Sequence, residues 1–279
     1  MSNGVLTDGE ANRQFLREHS RGTNLSGHVA LVTGCSGRLG RLWVQALKDA
    51  GAPIVIGTDT ADALRGDSPF KGCDCFVADL SDVGQVSDLA HQVCGTYGPP
   101  TILVNNAGVD DRPRTGVLNG PRYDVAASMA DVNLLGTYRM LQTFGPRMAE
   151  RGEGSIINIA SLYGLCSPDM RYYGDSGFEK HAMYGATKAG IVSLTKYYAA
   201  YWGPRGVRVN ALAPGGVVDP NDPLTGKDDT FKRNYTARIP MGRMCQPSDL
   251  SGPLVFLASK ASSFVTGHTI PVDGGFLAW

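Results

Sequence analysis

Tyr184 and Lys188 stand four residues apart in the run Tyr184-Gly185-Ala186-Thr187-Lys188. On a helix that spacing puts a phenol and an ammonium on one face. A free tyrosine titrates near ~10. A neighbouring cation favours the phenolate, which draws Tyr184 toward the range useful for general acid or base work. Upstream, Gly154-Ser155-Ile156-Ile157-Asn158-Ile159-Ala160-Ser161 reads as an apolar strand with a hydroxyl at its exit. From there Ser161 can hydrogen-bond a substrate oxygen while that oxygen's proton moves. Without such chemistry the same residues are a surface lysine beside a half-buried tyrosine, and a turn serine.

A second constellation lies near the start. Thr33-Gly34-Cys35-Ser36-Gly37-Arg38-Leu39-Gly40 follows a β-branched run and leads straight into a helical pattern. Glycines there let backbone approach a ligand closely, and the free N–H groups of the new helix face a pyrophosphate. Asp59 ends Ile54-Val55-Ile56-Gly57-Thr58-Asp59, about 20 residues beyond the loop, where an acid binds the ribose hydroxyls of a dinucleotide. A carboxylate at that place repels a 2′-phosphate, which favours NAD over NADP. Arg38 and Arg41, close to the phosphates, keep NADP open.

These residues need a scaffold. Short apolar runs at Val29–Thr33, Ile54–Gly57, Cys75–Ala78, Ile102–Asn105, Ser155–Ile159, Val207–Ala213 and Thr269–Val272 alternate with amphipathic stretches. Those stretches include Leu39–Ala50, Val83–Cys94, Tyr123–Glu150 and Met183–Trp202. The alternation predicts an α/β fold, a Rossmann-type doubly wound parallel sheet of about seven strands with helices on both faces. Strands that are apolar throughout belong in a sheet buried on both sides. Ligands in such sheets bind beyond the carboxyl ends of the strands, where both constellations fall.

The series has no linker, so residues 27–279 read as one domain and 1–26 as an N-terminal extension. Thr7 and Glu10 form a possible capping box for a short helix through about His19. Lys plus Arg balance Asp plus Glu at 26 each, so nothing recommends nucleic acid or an anionic membrane as partner. No apolar run approaches the ~20 residues of a membrane span, and Met1–Asn12 lacks the layout of a secretory signal. The six cysteines, Cys35, Cys73, Cys75, Cys94, Cys166 and Cys245, have no zinc-like spacing. They read as reduced packing residues in a cytoplasmic protein, with no metal site.

From about Ser26 onward the chain resembles the short-chain dehydrogenase/reductase family. The glycine loop, Asn105-Asn106-Ala107-Gly108, Asn133, Ser161, Tyr184 with Lys188, Pro214-Gly215 and Val272-Asp273-Gly274-Gly275 match in family order. The resemblance implies hydride transfer between a nicotinamide cofactor and a secondary alcohol or ketone. It implies that Tyr184 is the acid/base and that Lys188 lowers its pKa and holds the nicotinamide ribose. Ser161 would orient the substrate, and Asn133 would support a proton relay. Cofactor contacts are then expected at Gly34, Ser36, Gly37, Arg38, Leu39 and Gly40 in the loop and at Asp59. Asp79 and Leu80, in Val77-Ala78-Asp79-Leu80, would lie by the adenine. Further contacts are expected at Asn106, Ala107 and Gly108, at Tyr184 and Lys188, and at Pro214, Gly215 and Val217. The long helices would pair across two-fold axes into a dimer or tetramer.

The chain also departs from the family pattern. The middle glycine falls one place early, at Gly37. Thr58 takes the usual acidic position, with Asp59 one later. Asp219 stands where the family often has a threonine. The segment from about Leu162 to Met183 is long and polar and includes Tyr163, Asp169, Arg171, Tyr172, Tyr173, Asp175, Glu179, Lys180 and His181. It resembles a subgroup linked to bacterial sugar metabolism of the nonulosonic-acid type.

That segment should line the substrate pocket. Tyr163 joins Ser161 and Tyr184 there, Tyr172 and Tyr173 would stack on a sugar ring, and Arg171 would hold an anion. The expected substrate is a small polar molecule: a sugar, amino sugar, sugar phosphate or cyclitol. The alternatives are an NADPH-dependent 3-oxoacyl-carrier reductase and a non-catalytic nicotinamide-binding scaffold or sensor.

Overall fold

The computed structural model describes residues 22–65, 73–110, 122–174, 180–221 and 225–279. The Thr7–Glu10 cap and its helix, and Asp175 and Glu179, lie outside the described residues. The strands are β1 (Val29–Thr33), β2 (Ile54–Asp59), β3 (Asp74–Val77), β4 (Ile102–Asn105), β5 (Gly154–Ile159), β6 (Val207–Pro214) and β7 (Thr269–Val272). They form one parallel sheet in the order β3-β2-β1-β4-β5-β6-β7. β1 sets the register: Val29 lies opposite Ile54 of β2, and Ala30 opposite Ile102 of β4. The order reverses between β1 and β4, and a crevice opens there at the carboxyl ends of the strands.

Helices cover both faces because β1, β4 and β5 bury both sets of side chains. On one face, α1 (Arg38–Asp49) packs Trp43, Val44 and Leu47 against Val32, Val104 and Ile157. On the other, α3 (Val83–Tyr97) packs Leu89 and Val93 near Phe144 and Trp202. Asp82 caps α3 by accepting hydrogen bonds from the N–H groups of Gly84 and Gln85. A short α2 (Ala61–Leu64) follows β2.

The stretch Tyr123–Glu150 differs from the single helix expected. It is α4 (Tyr123–Met129), a π-helical stretch Ala130–Gly136, and α5 (Thr137–Arg151). The widened turns carry the buried Asn133, whose amide is drawn to the backbone of Val109. α6 (Ala182–Trp202) carries Tyr184 and Lys188. Two further helices, α7 (Asp229–Thr236) and α8 (Ser248–Ala258), have weak sequence signals. α7 is mostly polar, and α8 contains Gly252 and Pro253, which oppose helix in isolation.

Candidate active site

A cavity of about 630 Å³ lies in the crevice, and both constellations line it. Its cofactor half is built by the loop between β1 and α1. Gly34 has φ +64°, and a Cβ there would lie 2.8 Å from the Ala107 Cα. A Cβ on Gly40 would lie 2.0 Å from the Gly34 carbonyl oxygen, so α1 can start against the loop only without a side chain. Asn106 braces the loop from β4. Its Nδ2 donates to the carbonyls of Thr33 at 2.9 Å and Gly34 at 3.1 Å, while its Oδ1 accepts from the Trp43 indole. The glycine spacing departs from the usual pattern, yet the cradle keeps the close backbone approach a pyrophosphate needs.

Asp59 ends β2 and lines the cavity. Its carboxylate accepts hydrogen bonds from the Ser36 N–H at 3.0 Å, from the Ser36 hydroxyl, and from the Thr60 N–H at 2.9 Å. Thr58, at the usual acidic position, is almost fully buried. The acid therefore meets the loop from one residue further along the strand. Arg38 turns away from it and crosses the cavity. Its guanidinium donates to the Val217 carbonyl at 3.3 Å and lies 3.5 Å from an Asp219 carboxylate oxygen. Arg41 donates to the Ser36 carbonyl at 2.8 Å.

Asp79, Leu80, Ala107, Gly108, Pro214 and Gly215 complete the wall. Each expected cofactor residue thus borders the same cavity. This is the donor set and shape that a dinucleotide requires: a glycine cradle at a helix N-terminus with an acid at the second strand's end.

At the other half, α6 presents Tyr184 and Lys188 to the cavity, and Ser161 faces it from the exit of β5. Ser161 caps a short 3-10 turn by accepting from the Tyr163 N–H at 3.2 Å, which fixes its hydroxyl. Lys188 is buried, and its ammonium donates to the Ile159 carbonyl at 2.8 Å. Burial draws its pKa down to about 8; Asp110 opposes the shift and Lys180 adds to it. Lys188 Nζ is 5.8 Å from the Tyr184 ring centroid.

Asn133 behaves differently from the expectation. Its side chain accepts from the Val109 N–H at 2.7 Å and donates to the Val109 carbonyl at 2.9 Å, clamping the loop after β4. It does not line the cavity. Its Nδ2 also lies 3.4 Å from the Thr187 hydroxyl oxygen, so both ends of the buried amide are occupied within the protein.

The long segment after Ser161 folds only partly as expected. Tyr163 and Tyr173 line the cavity, and burial raises the Tyr163 pKa. Tyr172 instead packs edge-on against Tyr235 and Phe276 at 5.8 and 6.0 Å. Arg171 is a correction: its side chain is 87% exposed, forms a forked pair with Asp169, and does not border the cavity. Asp169 caps the 3-10 turn Met170–Tyr172 and draws the guanidinium outward with it. Lys180 and Asp110, with Phe231 and Tyr235 of α7, also border the cavity.

Doubly wound topology, the glycine cradle and a tyrosine–lysine pair beside a serine define a dinucleotide-dependent oxidoreductase scaffold. Comparison with known proteins agrees. The family model described as enoyl-(acyl carrier protein) reductase matches residues 37–277. The chain is 32% identical over 261 residues to a 3-oxoacyl-[acyl-carrier-protein] reductase of Thermotoga maritima, covering 91% of this chain and 99% of the relative. It is 33% identical over 260 residues to the 2-dehydro-3-deoxy-D-gluconate 5-dehydrogenase of Dickeya dadantii, covering 91% and 97%.

Among solved structures, a gluconate 5-dehydrogenase from Burkholderia cenocepacia, in complex with NADP and tartrate, superposes with a TM-score of 0.80. It is 32% identical, over 92% of this chain and 98% of that one. A short-chain dehydrogenase from Leptospira borgpetersenii with bound NAD+ gives 0.79 at 30% identity, over 99% and 98%. The protein belongs to the short-chain dehydrogenase/reductase family and is an oxidoreductase of that family.

Proposed function

We propose that the protein transfers hydride between NAD(H) and a secondary alcohol or ketone of a small polar substrate: a sugar, amino sugar, sugar phosphate or cyclitol. The observation that carries this reading is the substrate half of the cavity, where the charged Lys180 and Asp110 stand among Leu162, Tyr163, Tyr173, Phe231 and Tyr235 beside Ser161 and Tyr184. A pocket for an acyl chain is lined mainly by apolar side chains with few polar groups.

The cofactor, when bound, supplies or accepts the hydride. The protein's part is to hold and move a proton. In the oxidative direction, Ser161 donates a hydrogen bond to the substrate oxygen, and the Tyr184 phenolate takes its proton. In the reductive direction the phenol returns it. Lys188 stabilises the phenolate and would hold the nicotinamide ribose. Asp59, held on the loop by Ser36, would bind the adenosine ribose hydroxyls and repel a 2′-phosphate. Arg38 reaches across to Val217 and Asp219, so it does not offset that repulsion. This supports NAD over NADP.

The narrower likeness to oxidoreductases of nonulosonic-acid pathways belongs to the same reading. Its support is the run Ser161-Leu162-Tyr163-Gly164 and the long polar segment that follows. The second reading is an NADPH-dependent 3-oxoacyl-carrier reductase, favoured by the Thermotoga maritima relative.

One screen separates them. Hexitols, aldonates, sugar phosphates and a short 3-oxoacyl thioester are supplied with NAD(H) and with NADP(H), and the absorbance of reduced nicotinamide is followed. Turnover of a hydroxylated substrate with the NAD pair is expected. Turnover of the thioester alone, with NADPH, would establish the second reading instead. A protein that binds cofactor and turns over neither class would be the scaffold or sensor.

We also propose a single domain over 27–279 preceded by an extension, a cytoplasmic location, and a homo-oligomer, dimer or tetramer. No helix among the described residues is long and apolar enough to cross a membrane. The assembly is supported by Tyr138 on α5 and Tyr197 and Tyr201 on α6, large aromatic side chains exposed on the long helices. Light scattering at micromolar concentration should give a dimer or tetramer, and a monomer would refute it.

A further inference from the structure

Tyr235 of α7 is almost fully buried, yet it borders the cavity. Its hydroxyl oxygen accepts a hydrogen bond from the Gly216 N–H at 2.8 Å, and Gly216 borders the same cavity. The phenol lies where a side chain at position 216 would stand. A Cβ there would meet the Tyr235 Cε1, Cζ and Oη atoms at 2.7, 2.8 and 2.9 Å, so only glycine lets the phenol reach this backbone. Three further rings hold it in place. Phe231 stacks on it at 5.5 Å between centroids, with planes 24° apart. Phe276 lies at 5.4 Å, and Tyr172 meets it edge-on at 5.8 Å. Packing of this kind fixes a ring, and with it the place of the hydroxyl.

A phenol accepts hydrogen bonds and has one proton to donate. The Gly216 N–H occupies the oxygen as an acceptor, and among the described residues no group takes the proton. Burial pushes the Tyr235 pKa up, with the Gly216 N–H opposing, so the proton stays on the oxygen at neutral pH. A donor withheld from water needs an acceptor, and the cavity is where a ligand oxygen can supply one. Ser161 follows β5 and Gly216 follows β6, its neighbour in the sheet. Two hydroxyls, those of Ser161 and Tyr235, are thus anchored at adjacent strand exits around one cavity.

We propose that the Tyr235 hydroxyl donates a hydrogen bond to a second oxygen of the substrate, one that takes no part in the hydride or proton transfer. Tyr235 is then a specificity-determining residue, favouring polyols over alcohols that carry a single oxygen. The inference rests on the polar-substrate reading above and names the side chain that enforces it.

The test compares kcat/KM within two matched pairs, using whichever oxidised cofactor gives the faster turnover. The pairs are myo-inositol against cyclohexanol and sorbitol against 2-hexanol, each one carbon framework with many hydroxyls or one. In the wild type at least one polyol should exceed its monohydric partner. Tyr235→Phe keeps the ring and removes the donor, and it should narrow that preference by about 3- to 10-fold, the range for one hydrogen bond to an uncharged oxygen. A residue that merely braced Gly216 would lower both members of a pair together and leave their ratio unchanged. A second measurement needs no variant. Removing hydroxyls one at a time from the preferred polyol should reveal one position, other than the oxidised one, whose loss costs the wild type a similar factor. An unchanged ratio in Tyr235→Phe overturns the assignment, as does the absence of such a position or a wild type that prefers neither polyol. Polyol turnover with an unchanged ratio leaves the proposed function standing. Turnover of the thioester alone would remove that function too.

Discussion

Tyr184→Phe is expected to lower kcat by about 10²- to 10⁴-fold, the range that a positioned acid or base contributes. The ring survives the change, so its packing against Lys180 and its place on α6 survive as well. What goes is the one atom proposed to exchange a proton with the substrate oxygen. NADH affinity, read by fluorescence titration, should stay within about threefold of the wild type, because uniform binding is not what the hydroxyl supplies. The pairing of the two measurements matters. A parallel collapse of cofactor affinity would mean that the variant is misfolded, and wild-type kcat would refute the assignment of Tyr184 outright.

Lys188→Met should damage function and leave the fold at least as stable. The loss of a cation beside the phenol should reduce kcat by about 10²-fold or more, and NADH affinity should weaken by about 10-fold. Stability moves the other way. The pKa of Lys188 falls from 10.5 to about 8 on burial, so its charged form is disfavoured in the folded state. At neutral pH that depression corresponds to a cost on the order of 3 kcal/mol. Methionine fills similar volume without a charge, and such replacements are often neutral or stabilising.

The pH dependence follows from the sign of the shift. Between about 8 and 10.5 the unfolded chain holds a proton on this lysine that the folded chain has released. Wild-type stability therefore gains as pH rises through that window and loses the gain as pH falls through about 8. The wild type minus Lys188→Met difference in urea midpoints isolates this one group from the tyrosines. A flat difference from pH 7 to 10.5 would show that Lys188 is not desolvated as described.

How much of this was legible in the residues depends on distance along the chain. β1 and β4 begin and end where their apolar runs do, because strands buried on both faces are specified by composition. The glycine loop was legible for the same local reason: strand, turn and helix adjoin without interruption. The shift of the acid from Thr58 to Asp59 was visible as a departure, but its resolution needed the register of β2 against β1. The π-helical stretch was hidden, since it depends on Asn133 meeting Val109 24 residues away.

The largest miss concerned the anion contact. Arg171 and Lys180 lie in one segment, and composition cannot say which faces inward. Asp169, two residues earlier, captures Arg171 locally and turns it to solvent. A signal for Lys180 was nevertheless present. Lys180, Tyr184 and Lys188 are spaced by four and four, and although α6 starts only at Ala182, all three border the cavity.

The strand order has a bearing on how such a protein can change over generations. The cavity residues proposed to meet the adenosine follow β1, β2 and β3, whereas those proposed to meet the substrate lie in the excursions after β4, β5 and β6. Among their described residues these excursions pair with none of the seven strands, and the one bridge after β6, Val217 to Cys245, joins the excursion to itself. Insertions and substitutions between Ser161 and Tyr184, or beyond Gly215, can accumulate while every register in the sheet stands unaltered. Arg38, reaching from the first loop to Val217 and Asp219, ties the two halves together. A lineage built this way can exchange one metabolite for another while inheriting its nucleotide pocket intact, so descendants alike in backbone will differ in diet.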